Sequence, residues 1–97
     1  IVDDEKNVGF VIQAMLERAG YETLCFQQSS AAMEAIEGEE LDAVVTDLYM
    51  PGLTGMDLLE YCREHQPQLP VVMITAFGTI ESAVNALKKG AFDFITK

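Results

Sequence analysis

The stretch Leu41-Asp42-Ala43-Val44-Val45-Thr46-Asp47-Leu48-Tyr49-Met50-Pro51-Gly52-Leu53 decides the fold. Residues 41–46 are mostly apolar and lead into Asp47, a pattern that suits a parallel strand buried on both faces. Pro51 and Gly52 mark residues 48–53 as a loop. Thr54-Gly55-Met56-Asp57 then matches a capping box, and opens a helix with Leu58, Leu59 and Cys62 facing inward.

The same alternation continues on either side. Pro70 opens a second apolar strand, residues 71–74, ending at Thr75. A helix begins near Thr79, with Ile80, Ala83, Val84 and Leu87 at helical spacing. Lys88 and Lys89 suit its negative C-terminal end, and Gly90 its C-cap. Residues 92–97 read as the last strand. Towards the N-terminus, Ile1-Val2 reads as the tail of a strand. Residues 5–19 follow as a helix with Val8, Ile12, Met15, Leu16 and Ala19 on one face, ended by Gly20. Residues 21–26 are rich in aromatic and β-prone types and predict a strand. Ser29 or Ser30 can cap a helix running to about residue 37, stopped by Gly38. Strict β-α alternation implies a parallel sheet, right-handed crossovers and helices on both faces. The expectation is one α/β domain over residues 1–97, a three-layer sandwich with five parallel strands. It is trimmed at its first strand and lacks a closing helix.

Composition narrows the function. Six basic against sixteen acidic residues give a net charge of −10, which argues against direct nucleic-acid binding. No apolar run is long enough to span a bilayer, so no membrane association is expected. Cys25 and Cys62 are unpatterned and read as small buried hydrophobes. His65, the only histidine, falls at a predicted helix end and reads as a surface or cap residue.

In an open parallel sheet, ligands bind beyond the carboxyl ends of the strands. This sequence places Asp3 and Asp4, Asp47, Thr75 and Lys97 there. Two carboxylates about 5 Å apart repel by about 3 kcal/mol at an effective dielectric of about 20. A hard divalent cation such as Mg²⁺, with its preference for oxygen ligands, relieves that repulsion. A carboxylate nucleophile can form an aspartyl phosphate, and a metal, a hydroxyl and an ammonium can stabilise the transferring group. Each residue also has an ordinary reading: Asp3-Asp4 as a helix cap, Asp47 as a turn cap, Thr75 as structural, Lys97 as solvated surface. It is their joint occurrence in this order that points to phosphoryl transfer.

At this point the chain resembles the response-regulator receiver family of two-component signalling. The pieces that carry the resemblance are Val2-Asp3-Asp4-Glu5, residues 47–55, Ile74-Thr75-Ala76 and Gly90-Ala91-Phe92-Asp93-Phe94-Ile95-Thr96-Lys97. It implies a flavodoxin-like fold with strand order 2-1-3-4-5. It implies Asp47 as the phosphorylated residue, Asp3 and Asp4 as the acidic pocket for Mg²⁺, and Asp4, Asp47 and the Tyr49 backbone carbonyl as ligands. Thr75 and Lys97 would contact the phosphoryl group, and Thr75 and Phe94 would form the switch. Phe94 stands where many members have Tyr, so no hydroxyl is present there. Residues 75–84 with 90–94 are similar to the NtrC-like subclass, whose receivers precede an ATPase and a DNA-binding module. The implied partners are a sensor histidine kinase and either a second receiver or an attached ATPase output domain, in the cytoplasm. The domain would be a regulatory phosphoacceptor, not an enzyme beyond its own phosphorylation and dephosphorylation.

Two other functions remain open on sequence. An aspartate-nucleophile phosphohydrolase would carry a second Asp two residues after the nucleophile, where Tyr49 stands. A non-phosphorylated interaction module on the same fold would not need Asp3, Asp4, Asp47, Thr75 and Lys97 together.

Overall fold

Val71–Thr75 (β2) lies between Val44–Asp47 (β1) and Asp93–Thr96 (β3), all parallel, in the order β1-β2-β3. The computed structural model describes residues 1–50, 52–76 and 78–96. Side chains alternate across the strands. Val44, Thr46, Val71, Met73 and Thr75 are buried on one face, where Phe94 joins them partly buried. Val45, Val72 and Ile74 are only half-buried, and Ile95 is exposed. The expected burial of both faces therefore holds for one. α1, Lys6–Arg18, is loosely seated as well: only Gly9 is buried, Val8, Ile12 and Leu16 are half-buried, and Met15, like Ala19 just after the helix, is exposed.

Five regular strands were expected, and the structure forms three. Val2 extends the sheet through single parallel bridges to Thr46 on one side and Phe26 on the other. The Val2 amide donates to Val45 O at 2.8 Å, and the Asp47 amide donates to Val2 O at 2.8 Å. Phe26 donates to Ile1 O at 2.8 Å and accepts from the Asp3 amide at 3.0 Å. Beyond Val2 the chain turns into α1, so the bridges stay single; Ile1 N also donates to Leu24 O at 2.9 Å, but residues 21–25 form no strand of their own. Cys25 is consequently exposed rather than buried, its thiol donating weakly to Gly9 O at 3.6 Å.

Packing is tightest under α3, Gly55–His65. Thr54 and Asp57 form the expected capping box, with the Thr54 amide donating to Asp57 Oδ2 at 2.9 Å. Leu58, Leu59 and Cys62 have no exposed surface, and burying a leucine side chain contributes about 1.5–3 kcal/mol. Burial pushes the Cys62 thiol pKa up, as befits an unreactive packing residue. α2, Ser29–Gly38, packs beside α3, and a hydrogen bond to Glu37 raises the Tyr61 phenol to about 12. Ser29 does not cap α2 as expected; the cap position is Gln28, without a side-chain bond.

α4, Ile80–Lys88, is the clearest departure. Its periodic apolar residues suggest a buried stripe, yet Ile80 is 87% exposed and Val84 and Leu87 are exposed as well. Ala86 is its buried residue. Periodicity fixes which residues share a face but not whether that face meets the core. The structure predicts that Leu58→Ala lowers stability by about 2–5 kcal/mol, whereas Ile80→Ala changes it by less than about 0.5 kcal/mol. Urea unfolding of the two variants checks this, and equal losses would place Ile80 in the core.

Candidate functional site

The backbone pairing of Val2 puts the residues after it beside the end of β1. Asp3 is 3% exposed, Asp47 is 6% exposed, and Asp4 is exposed. One carboxylate oxygen from each lies within 4.8 Å of the others. At such a separation each ionised pair repels by about 3 kcal/mol at an effective dielectric of about 20. Asp3 Oδ1 also accepts from the Glu5 amide at 2.9 Å and so shapes the entry to α1. Its capping role and its place in the cluster coexist. Asp47 Oδ1 faces the Tyr49 amide at 3.4 Å, and Thr46 Oγ1 donates to Asp47 O at 3.0 Å.

This donor set fits a hard divalent cation. Three carboxylates offer oxygen alone, two of them are buried, and the cluster opens to solvent at Asp4. Soft ligands stand elsewhere. His65 is exposed at the far end of α3, its ring 4.2 Å from that of Tyr61. Tyr49, whose carbonyl the family resemblance offers as a further ligand, follows Asp47 by two residues.

Thr75 ends β2 with no exposed surface. Asp47 is in register with Ile74, and the Leu48 amide donates to Ile74 O at 3.1 Å, so Thr75 stands at the same sheet edge as Asp47. Phe94 is partly buried on β3, in register with Met73. Lys97 lies outside the described residues.

Three positions have roles that the sequence did not disclose. A Cβ on Gly55 would stand 2.3 Å from Asp47 O and 3.0 Å from Leu48 Cα. The helix start therefore rides directly on the backbone that carries Asp47, and the Gly55 amide donates to Leu48 O at 3.0 Å. A glycine in a first helical turn costs helix propensity, which is the signal that could have flagged it. A Cβ on Gly78 would stand 2.8 Å from the Phe94 ring and 3.1 Å from the Thr75 methyl. Ser29 is buried, and its hydroxyl donates to Leu53 O at 2.9 Å, tying α2 to the loop after Asp47. A serine at a helix start reads as a cap, so nothing in the sequence announced that tie.

Comparison with known proteins bears on the family and the fold. A family model described as the response regulator receiver domain matches residues 1–97. The response regulator protein PilR of Pseudomonas aeruginosa is 40% identical over 97 residues, covering 100% of this chain and 22% of PilR. The chain thus spans about a fifth of the length of the curated relatives it matches. The beryllofluoride-activated NtrC4 receiver domain dimer superposes with a TM-score of 0.94 at 32% identity, over 99% of this chain and 79% of that one. A Burkholderia pseudomallei response regulator holding a phosphorylated aspartic acid, a calcium ion and citrate superposes at 0.91 with 25% identity, over 99% of this chain and 56% of that one.

Carboxylate repulsion predicts that Mg²⁺ binds without phosphate and stabilises the fold. At ten times its dissociation constant the gain is about 1.4 kcal/mol, and Asp4→Ala, at the exposed member of the cluster, removes most of it. Thermal melts across a Mg²⁺ titration measure both; a melting temperature indifferent to the ion contradicts the site.

Proposed function

This chain belongs to the response regulator receiver domain family, in its NtrC-like branch, and on that premise we propose that Asp47 accepts a phosphoryl group from a sensor histidine kinase and so switches an attached transcription-activating module. The single observation that carries the proposal is the convergence of Asp3, Asp4 and Asp47 at the sheet edge that also ends in Thr75. Residues 1–97 act as one phosphoacceptor domain in the cytoplasm. Among the described residues no helix is long and apolar enough to cross a membrane. The bridges of Val2 to Phe26 and to Thr46 support counting the Phe26 segment as the edge strand, and the Val2 segment as the strand beside it, of a five-stranded sheet in the order 2-1-3-4-5.

In the proposed reaction an Asp47 carboxylate oxygen bonds to phosphorus as the bond from phosphorus to the donor imidazole nitrogen breaks. The nitrogen keeps the electron pair, and the imidazole is released. Mg²⁺, held by Asp4, Asp47 and the Tyr49 carbonyl with Asp3 beside them, would supply positive charge to the phosphoryl oxygens. The Thr75 hydroxyl donates to a phosphoryl oxygen, and the Lys97 ammonium offsets the added charge. Hydrolysis of the acyl phosphate, catalysed at the same site, resets the domain. The phosphorylated aspartic acid and calcium ion of the Burkholderia relative support this chemistry.

Output follows from the neighbours of Thr75. The Phe94 ring packs against Gly78, close to the Thr75 methyl. Drawing Thr75 towards a phosphoryl group opens space there, into which Phe94 turns. A two-state element biased by one new contact is enough for such a switch. The exposed stripe Ile80, Val84 and Leu87 on α4 is the contact surface it presents or hides, to a second receiver or to an attached ATPase domain. The NtrC4 receiver, activated by beryllofluoride and dimeric, supports the first partner.

Acetyl phosphate with Mg²⁺ is expected to label Asp47 alone, as mapped by mass spectrometry, and Asp47→Asn to abolish labelling. Labelling of the Asn variant at the wild-type level overturns the assignment. Binding of beryllofluoride is expected to change hydrogen exchange within residues 79–95. An unchanged profile with the mimic bound sends the signal through another surface.

A further inference from the structure

The two ends of α4 are held in different ways. At its start, the side-chain hydrogen bonds of Thr79 and Ser82 close on one another within the helix, and Ile80 projects into solvent. At its end, α3 reaches across. Arg63 Nη1 donates to Gly90 O at 3.3 Å, and Arg63 Nη2 donates to Leu69 O. Lys89 Nζ pairs with Glu60 Oε1 at 2.8 Å. Gly90 has a φ of +104°, and a Cβ there would stand 2.9 Å from Arg63 Cδ, so the arginine stem fills the space the glycine leaves. Ala86, the buried residue of α4, lies in this half too.

These contacts are unequal. Glu60 and Lys89 are each about half exposed, and such pairs contribute little. The guanidinium is committed more deeply, because its Nε is buried with no hydrogen-bond partner among the described residues. Burying a polar group without a partner costs free energy. The side chain is kept in place by the two carbonyls it joins, one before β2 and one after α4. A guanidinium fork suits this bridging, since its donors are fixed in one plane.

We propose that Arg63 is the pivot of α4: a positioning residue that fixes the last turn of the helix to α3, so that a phosphoryl group on Asp47 moves the first turn. The inference rests on the reading of Asp47 as phosphoacceptor. The moving end is the one next to Gly78 and Thr75, and the fixed end is the one Arg63 grips. The helix therefore swings instead of shifting as a whole.

The test is residue-resolved hydrogen exchange on the intact protein with Mg²⁺, with and without beryllofluoride. Fluorine NMR reports whether the mimic is bound. In the wild type the mimic is expected to change exchange about tenfold or more at residues 80–83 and less than about twofold at residues 86–90. In Arg63→Gln the two segments are expected to respond alike. A purely structural arginine would lower the melting temperature and leave the wild-type gradient in place, which overturns the pivot. A uniform or reversed profile in the wild type overturns it without any variant. Should Arg63→Gln fail to fold, Arg63→Lys, which loses the fork but keeps the charge, is expected to weaken the gradient, and an undiminished one counts against the proposal. No bound fluorine signal in the wild type removes the Asp47 reading, and the pivot with it.

Discussion

One buried residue, Val2, determines where the charges of the site can be. Its amide and carbonyl bond to Val45 O and the Asp47 amide, and its neighbours Ile1 and Asp3 bond to Phe26. Backbone pairing of this kind fixes register residue by residue. Once Val2 lies alongside β1, Asp3 and Asp4 must emerge beside Asp47, whatever their mutual repulsion. The fold thus holds three carboxylates within 4.8 Å by main-chain hydrogen bonds that the charges themselves do not influence. Gly55 completes the constraint from the other side, because only a residue without a Cβ lets α3 approach the Asp47 carbonyl.

That arrangement divides the work between two kinds of interaction. Packing under α3, with Leu58, Leu59, Cys62, Val71 and Met73 fully buried, holds β1 and β2 together. The charged edge holds three carboxylates close together, the arrangement on which the proposed binding of a cation and a phosphoryl group rests. Ser29 links the two regions, since its hydroxyl ties α2, which packs beside α3, to the loop that follows Asp47. Rigid elements therefore reach Asp47, the proposed phosphoacceptor, from β1, from α3 and, through that loop, from α2.

What the sequence disclosed follows from this division. Asp3, Asp4, Asp47 and Thr75 were legible because each ends an apolar run, and apolar runs announce buried strands. The helices were legible to within a residue or two at most ends, and the capping box at Thr54 stood as expected. Tertiary context hid the rest. Residues 21–25 have strand-like composition but lack consecutive partners, so propensity overstated the pairing. Ser29 has the chemistry of a cap and spends its hydroxyl on a distant carbonyl. Gly55 and Gly78 matter through what a missing Cβ permits, and a one-dimensional pattern does not contain that distance.

The outward stripe of α4 bears on the energetics of the proposed switch. Had Ile80, Val84 and Leu87 been core residues, moving the helix would mean exposing them, at about 1.5–3 kcal/mol each. Together that rivals the total stability of a small domain. Because Ile80 is 87% exposed, the first turn can move while surrendering little buried apolar surface, and its capping box between Thr79 and Ser82 travels with it. The difference between two positions of the helix then falls to a few kcal/mol, the range that one added charge and one redirected hydroxyl can bias. An apolar stripe left outside the core can also serve as a surface for a partner, so in the proposed switch the feature that makes α4 easy to move also makes its movement readable.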